Sequence, residues 1–188
     1  MTRGRCPAML NPSAWVTRFA PLIPRRGHVL DVAAGGGRHT AWLLLNGWRV
    51  TACDVDVSAL EPLVGLEGLT LEARDLEGEP WPWGADMFDG IVVTNYLHRE
   101  HFPYYWQSLR PGGILIMETF LRANREIWGR PARDAHSWME NELLDFIPEG
   151  ARVVAFEQGL TKKDLAMARI VLAKRAAAEP LVFALEAD

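Results

Sequence analysis

The chain has 188 residues, a length that suits one domain built around a single hydrophobic core. Apolar residues make up 49% of it and charged residues 23%, which is ordinary for a globular protein and argues against a disordered chain. With 20 basic and 24 acidic residues the formal net charge is −4, so the overall positive field expected of a nucleic-acid-binding protein is absent.

The first residues and the cysteines indicate a reducing compartment. The opening stretch MTRGRCPAMLNPSAW lacks the apolar run of a signal peptide, and no window approaches the roughly 18 apolar residues of a membrane span. Two cysteines, Cys6 and Cys53, are too few for a disulfide framework, and Cys53 lies in an apolar run that suits a buried thiol. We therefore expect a cytoplasmic protein without a membrane partner.

Seven apolar runs predict β-strands. They lie at 28–34, 49–55, 69–75, 88–96, 112–120, 152–158 and 165–175. Continuous apolar strands that alternate with helical stretches indicate a parallel sheet covered on both faces. Only GLTKKD separates the last two runs, so these two should pair as an antiparallel hairpin. The expected fold class is α/β, doubly wound, with a mostly parallel seven-stranded sheet, a final antiparallel hairpin and helices on both faces.

The first crossover helix is predicted in GRHTAWLLLNG, residues 37–47. Ala41, Leu44 and Leu45 are taken as its buried face, and Gly47 suits the left-handed residue that ends a helix. His39, in the first turn, is expected to be exposed.

A second helix is predicted in EHFPYYWQSLRPGG, where Pro111 should end it. Its apolar residues keep helical spacing: Phe102, Tyr105, Trp106 and Leu109. The Pro- and Gly-rich segment 76–87 is expected to be a loop.

A glycine turn, AAGGG, joins the first strand to the first helix. Glycine lets a backbone approach a ligand closely, and a helix N-terminus favours negative charge. The dinucleotide pattern G-x-G-x-x-G fits at Gly35 and Gly37 but fails at Thr40. Asp31, before the turn, puts a carboxylate where it suits an ammonium group better than a phosphate. S-adenosylmethionine carries such an ammonium; the alternative is that Asp31 only shapes the turn.

The second and third strands also end on acids. Asp54 lies 19 residues after Gly35, where a carboxylate can accept hydrogen bonds from both ribose hydroxyls of a nucleoside. Asp75 can accept from an adenine amino group while Leu76 covers the ring. Either acid can instead be an ordinary solvated strand end. Asp56, two residues after Asp54, is interpreted as a helix cap acting with Ser58.

These motifs together resemble those of the class I S-adenosylmethionine-dependent methyltransferases. DVAAGGG is similar to their acidic-x-Gly-x-Gly-x-Gly motif with Ala33 at the first glycine, ACDVD to their ribose-binding acid and RDL to their adenine-contacting pair. FDGIVVTNYLHR and LRPGGILIMETF resemble segments of small bacterial members related to tellurite-resistance methyltransferases. The resemblance covers about residues 27–175. It implies a bacterial methyltransferase with S-adenosyl-L-methionine as cofactor and the following cofactor-binding residues: Asp31, Ala33, Gly35, Gly37, Asp54, Val55, Asp75, Leu76 and Asn95.

The stretch TNYLHREH leaves the fourth strand, where an acceptor should approach the methyl group. Tyr96 and His98 are the catalytic candidates, because a histidine at this place can act as a general base. The alternative for His98 is a structural role at a helix start. No spacing of His, Cys and acids suggests a metal site.

The remaining motifs concern the acceptor. Residues 121–150 follow the fifth strand, where methyltransferases of this type place substrate-covering elements. This irregular segment contains four arginines: Arg122, Arg125, Arg130 and Arg133. They can bind an anionic small molecule, or they can simply form a solvated surface. The eight tryptophans are interpreted as core and cover packing, with a base-stacking platform as the alternative. We read 1–188 as one methyltransferase domain with an N-terminal segment, 1–27, and a tail, 176–188.

The predicted function is methyl transfer to a small-molecule acceptor, without nucleic acid or membrane as partner; the oligomeric state is left open. TNYL bears only a partial likeness to the motif of enzymes that methylate adenine amino groups. Two other classes stay open: a non-catalytic S-adenosylmethionine-binding or interaction protein with the tail as a docking element, and a nicotinamide-dependent oxidoreductase. Thr40 and Asp31 argue against the oxidoreductase.

Overall fold

A computed structural model describes residues 11–176. Its single seven-stranded sheet has the order β3-β2-β1-β4-β5-β7-β6. The strands are β1 His28–Val32, β2 Arg49–Asp54, β3 Leu69–Ala73, β4 Phe88–Thr94, β5 Leu109–Phe120, β6 Ala151–Leu160 and β7 Ala166–Lys174. Pairs among β1 to β5 are parallel, while β7 is antiparallel to both β5 and β6. The predicted α/β class, the doubly wound sheet and the final hairpin are confirmed.

Within residues 11–176, four α-helices and five 3₁₀ helices precede or connect the strands. The α-helices are α1 Ala14–Phe19, α2 Arg38–Leu45, α3 Phe102–Ser108 and α4 Arg122–Trp128. The 3₁₀ helices are Ala20–Leu22, Ser58–Leu63, Arg99–His101, Asp134–His136 and Glu142–Phe146. The segment 76–87 contains no helix, as predicted. None of the helices in the described part of the chain is long and apolar enough to cross a membrane.

The sheet separates two hydrophobic clusters, because successive strand residues point to opposite faces. One face packs Leu30, Val93 and Met117 against α3 and the loop 76–87. The other packs Val29, Val92 and Ile116 against α1 and α2. The order reverses between β1 and β4, whose carboxyl ends therefore flank the crevice where open α/β sheets bind ligands.

The predicted buried face of α2 is confirmed at Ala41 and wrong at Leu45. Leu45 is 83% exposed, whereas Leu43 is fully buried. His39 and Thr40 are buried with Leu43 and lie four and three residues before it, respectively, so they share its helix face. The apolar pattern missed this face because two of its members are polar side chains with buried hydrogen-bond partners. Gly47 does take the left-handed conformation, with φ 91°.

The end of α3 also differs from the prediction. The helix ends at Ser108, and Leu109 already belongs to β5. Pro111 lies inside this strand, in an irregularity where the β4 pairing moves from Phe88↔Leu109 to Gly90↔Ile114. Because the bulged residues are not needed in the hydrogen-bonding ladder, a proline is tolerated there.

The arginine-rich segment after β5 is not wholly irregular, since α4 occupies Arg122–Trp128. Gly129 ends this helix with φ 66°. Two of the predicted features lie outside the described residues, wholly or in large part: the tail 176–188 beyond its first residue, and the beginning of the N-terminal segment with Cys6.

Candidate active site

The glycine turn has the left-handed backbone that its composition predicts. Gly35 and Gly37 have φ 52° and 72°, and Ala33 has φ 51°. A side chain at Gly37 would place its Cβ 2.4 Å from Leu60, so the close approach also demands glycine. Ala33 therefore keeps the conformation of the motif's first glycine, at the strain that a Cβ causes in this region.

Asp31 lies one residue before the end of β1 and is fully buried. Its Oδ2 accepts a hydrogen bond of 2.6 Å from the Thr40 hydroxyl of α2. Its Oδ1 is buried and has no hydrogen-bond partner among residues 11–176. Burial raises the pKa of Asp31 to about 6, because it disfavours the charged form. The site thus holds a carboxylate with one oxygen left for a cation.

Asp54 connects the ends of β1 and β2. Its Oδ2 accepts a hydrogen bond of 2.8 Å from the Gly35 backbone N–H, and its Oδ1 accepts one of 3.1 Å from the backbone N–H of Asp56. Asp56 in turn accepts from the backbone N–H of Ser58, but the predicted cap is wrong in its position, since the N-cap residue of the 3₁₀ helix is Val57. Each carboxylate oxygen can accept more than one hydrogen bond, so Asp54 retains capacity for hydroxyl donors.

Asp75 and Leu76 follow β3. Asp75 Oδ1 accepts from the backbone N–H groups of Glu77 and Gly78, each at 3.1 Å. Leu76 is buried. The exposed carboxylate and the buried leucine are therefore held side by side, as the adenine-contacting pair requires.

A cavity of about 380 Å³ brings these strand ends together. Six residues of its lining were predicted as site residues: Ala33, Asp54, Val55, Asp75, Leu76 and Tyr96. Three others were not predicted as site residues: Cys53, Arg74 and Glu77. Burial raises the pKa of Cys53 to about 12, so it is a neutral thiol. The cavity joins the ribose and adenine candidates, while Asp31, Gly35, Gly37 and Asn95 lie outside its lining.

Asn95 turns the chain after β4. It is exposed with φ 55°, and its backbone N–H donates to the carbonyl of Glu118 at the end of β5. This left-handed residue directs Tyr96 towards the cavity that Asp75 and Leu76 line. The sequence-based assignment of Tyr96 to the acceptor side stays a prediction.

His98 is half-buried and packs against a second histidine that the sequence reasoning missed. The ring centres of His98 and His101 are 4.2 Å apart, and Nδ1 of each ring is buried without a partner in the described part of the chain. Burial, and then the nearby His98, lower the pKa of His101 to about 4. His101 is therefore neutral near pH 7. The motif HREH could have indicated it, since its two histidines flank one 3₁₀ turn.

His39 is buried, which contradicts the expected exposed position. Its Nε2 accepts from the Ser13 backbone N–H at 3.1 Å, so its Nδ1 carries the proton towards the Thr94 hydroxyl, 3.2 Å away. Burial lowers the pKa of His39 to about 4. The ring is buried because it joins the start of α1 to the carboxyl end of β4.

Arg99 anchors the region after β5 next to His98. Its guanidinium bonds both carboxylate oxygens of Glu142, at 2.6 and 2.9 Å, and lies 4.8 Å from the ring centre of Trp138. The region predicted at 121–150 is thereby held beside the end of β4. Its role as a substrate cover stays a prediction.

The four arginines of this region differ in their pairing. Arg122 and Arg125 both form ion pairs with Asp134. Arg130 and Arg133 are exposed and have no ion-pair partner among the described residues. Only this second pair is left to attract an anion. Within residues 11–176 no cluster of three or more His, Cys, Asp or Glu side chains is placed to hold a metal ion.

Sequence comparison finds a family model and two relatives that match this part of the chain. Residues 30–117, which span β1 to β5, match the model of a methyltransferase domain. The chain is 29% identical over 143 residues to the tRNA U34 carboxymethyltransferase of Hahella chejuensis, covering 66% of this chain and 42% of that protein. It is 26% identical over 124 residues to the Bacillus subtilis protein YqeM, covering 56% of this chain and 47% of that protein. The chain thus matches less than half the length of each relative.

Solved structures share the fold. The Burkholderia thailandensis 1,6-didemethyltoxoflavin-N1-methyltransferase, crystallised with 1,6-didemethyltoxoflavin and S-adenosylhomocysteine, superposes with a TM-score of 0.62 and 21% identity, over 86% of this chain and 75% of that one. The narrower resemblance to tellurite-resistance methyltransferases is untested by these relatives. Residues 30–117 are thus similar to methyltransferase domains, and the chain has the fold of S-adenosylmethionine-dependent methyltransferases.

Proposed function

We propose that the chain binds S-adenosylmethionine at the carboxyl ends of β1, β2 and β3 and transfers its methyl group to a small-molecule acceptor. The observation that carries the proposal is the set of three strand-end acids, Asp31, Asp54 and Asp75, arranged around the glycine turn and the cavity of about 380 Å³. These donors and acceptors suit an adenosine that carries an amino acid, and they do not suit a pyrophosphate.

Each part of the cofactor has a chemically matching group. The unpartnered Oδ1 of Asp31 suits the ammonium, and the open space at Gly35 leaves room for the methionine half. Asp54 accepts from the ribose hydroxyls. Val55 lies beside Asp54 at the ribose, while Asp75 accepts from the adenine amino group and Leu76 covers the ring. Asn95 lies nearest the methyl group.

The sulfonium supplies an activated methyl group, so the protein chiefly positions an acceptor behind it. Such positioning lowers a barrier by up to roughly 7–11 kcal/mol in favourable cases. His98 is our candidate for the general base when the acceptor must lose a proton, because it follows β4 and its Nδ1 has no partner in the described part of the chain. A soft anionic acceptor would need no base.

Two features favour a small acceptor. The chain is acidic overall, with a net charge of −4, and a protein of the same fold was crystallised with a small heteroaromatic acceptor. Arg130 and Arg133 would attract an anionic one. The Hahella relative is named for an action on tRNA, so RNA is the second acceptor class to test. We further propose a cytoplasmic, bacterial protein.

The rival is a protein that binds the cofactor without catalysing transfer. Purified chain is incubated with S-adenosylmethionine and either a panel of small molecules or a tRNA mixture, and S-adenosylhomocysteine release is measured. We expect release with a member of the small-molecule panel. Cofactor binding without S-adenosylhomocysteine release from any acceptor supports the rival. Release with tRNA alone would show that the acceptor is RNA and not a small molecule.

The His98 proposal is tested on the acceptor so identified. His98→Ala should lower turnover strongly and leave S-adenosylhomocysteine affinity within about twofold, because losing a base acts on the transition state. A parallel fall in cofactor affinity and melting temperature would instead make His98 a structural residue.

A further inference from the structure

Tyr96 occupies a position that methyl transfer alone does not explain. The left-handed Asn95 turns the chain at the end of β4, and Tyr96 then lines the same cavity as Asp75 and Leu76. Its ring is half-buried, and on its other side it packs against His101, with 6.2 Å between the ring centres. Tyr96 therefore forms the wall that separates the adenine end of the cavity from the His98–His101 pair.

The Tyr96 hydroxyl is buried and lacks a hydrogen-bond partner among residues 11–176. A buried tyrosine hydroxyl normally has a partner, so an unpaired one beside a cavity points to a missing ligand group. Burial, and then the negative charges of Glu77 and Asp75, raise the pKa of Tyr96. The hydroxyl therefore stays protonated and offers an O–H donor close to two carboxylates.

Adenine presents a matching pair of groups on one edge. Its 6-amino group is a donor, and the neighbouring ring nitrogen is an acceptor. Asp75 supplies an acceptor and Tyr96 a donor in the lining of the same cavity. We propose that the Tyr96 hydroxyl donates a hydrogen bond to a ring nitrogen of adenine and, with Asp75, makes the cavity specific for a 6-aminopurine. This inference rests on the proposed cofactor, and it assigns Tyr96 to cofactor recognition.

In a hypoxanthine ring the hydrogen-bond donor and acceptor on this edge are exchanged relative to adenine. Its 6-oxygen is an acceptor that meets the Asp75 carboxylate, and its adjacent ring N–H is a donor that meets the Tyr96 O–H. Sites built around buried hydrogen-bonding groups discriminate strongly against ligands that leave those groups unpaired. The protein should therefore reject S-inosylhomocysteine, the deaminated form of S-adenosylhomocysteine, although the two share ribose and amino-acid parts.

Calorimetry with both nucleosides tests the proposal on wild type and two tyrosine variants. Wild type should bind S-adenosylhomocysteine at least about 100-fold more tightly than S-inosylhomocysteine, the size expected for two mismatched hydrogen bonds. Tyr96→Phe should lose about tenfold in S-adenosylhomocysteine affinity and reduce the discrimination by a similar factor. Tyr104→Phe is the matched control, because Tyr104 is exposed by 43%, and both of its affinities should stay within about twofold.

The outcomes separate this inference from the proposed function. If Tyr96→Phe has the wild-type melting temperature and unchanged affinity for, and discrimination between, the two nucleosides, the inference is wrong. Lower turnover in that variant would then support the original prediction that Tyr96 acts on the acceptor. If the wild type binds neither nucleoside, the proposed cofactor site itself is wrong. Equal wild-type affinity for the two nucleosides would overturn the specificity claim while leaving the cofactor site intact.

Discussion

Thr40 donates a hydrogen bond of 2.6 Å to the buried carboxylate of Asp31. In the sequence, Thr40 is the residue that breaks the dinucleotide pattern. In the structure, it instead orients the acid of β1, since its hydroxyl reaches Oδ2 and leaves Oδ1 for a ligand. The threonine at position 40 therefore argues against a dinucleotide cofactor and supports S-adenosylmethionine.

Replacing Thr40 by Val keeps the side-chain shape and removes this donor. The free energy of unfolding at neutral pH should fall by about 1.5–3 kcal/mol, because a buried carboxylate loses its hydrogen bond. Urea denaturation measures the change. Thr70→Val, at an exposed position on the edge strand β3, is the control and should change stability by less than about 0.5 kcal/mol. Equal stability of both variants would show that the Thr40–Asp31 bond is unimportant.

The pKa of Asp31, about 6, predicts that cofactor affinity depends on pH. An ionised Asp31 attracts the ligand's ammonium, and a protonated one does not. Affinity for S-adenosylhomocysteine should therefore fall as pH drops below about 6, approaching tenfold per unit for one linked proton. Calorimetry across this range provides the measurement. Asp31→Asn should bind more weakly at neutral pH with a flatter profile; an identical profile in that variant would exclude Asp31 as the titrating group.

His39 predicts a pH dependence of stability. Its pKa in the folded state is about 4, lowered from 6.5 by burial, so the unfolded chain binds the extra proton first as pH falls. The stabilising contribution of neutral His39 is present above pH 6.5 and is lost as pH falls towards 4. Asp31, with its raised pKa, acts in the opposite direction over an overlapping range.

The free energy of unfolding, measured at several pH values, checks this in wild type and His39→Gln. The variant should be less stable at neutral pH and should lose less stability on acidification. His136→Gln, at a partly exposed position, is the control and should keep the wild-type slope. A His39→Gln slope equal to that of wild type would contradict the buried neutral state.

Ala33 holds a conformation that suits glycine. Because its φ is 51°, Ala33→Gly should leave the fold intact and raise the unfolding free energy by about 0.5–1 kcal/mol through relief of strain. Ala34→Gly is the matched control and should be destabilising, since Ala34 is buried and is not a positive-φ residue. Thermal denaturation of the two variants measures both changes. A lower stability of Ala33→Gly than of wild type would contradict the proposed strain at Ala33.

The apolar runs predicted the sheet well, because continuous burial of both faces leaves an unmistakable pattern in strands such as β1 and β4. The strand-end acids followed from the same pattern, since Asp54 and Asp75 lie at the ends of two such runs. What escaped prediction depends on long-range polar partners. His39 is buried only because Ser13 and Thr94 meet its ring nitrogens. The bulge around Pro111 likewise depends on the β4 register, which local sequence does not encode.

The central claim is that three strand-end acids bind S-adenosylmethionine. Calorimetry of wild type and Asp54→Ala with S-adenosylhomocysteine and with NAD tests it most directly. Wild type should bind S-adenosylhomocysteine and not NAD, and folded Asp54→Ala should lose about 2 kcal/mol or more of binding free energy, as expected for charged hydrogen bonds to the ribose. Tight NAD binding without S-adenosylhomocysteine binding, or an unchanged dissociation constant in the folded variant, would contradict it.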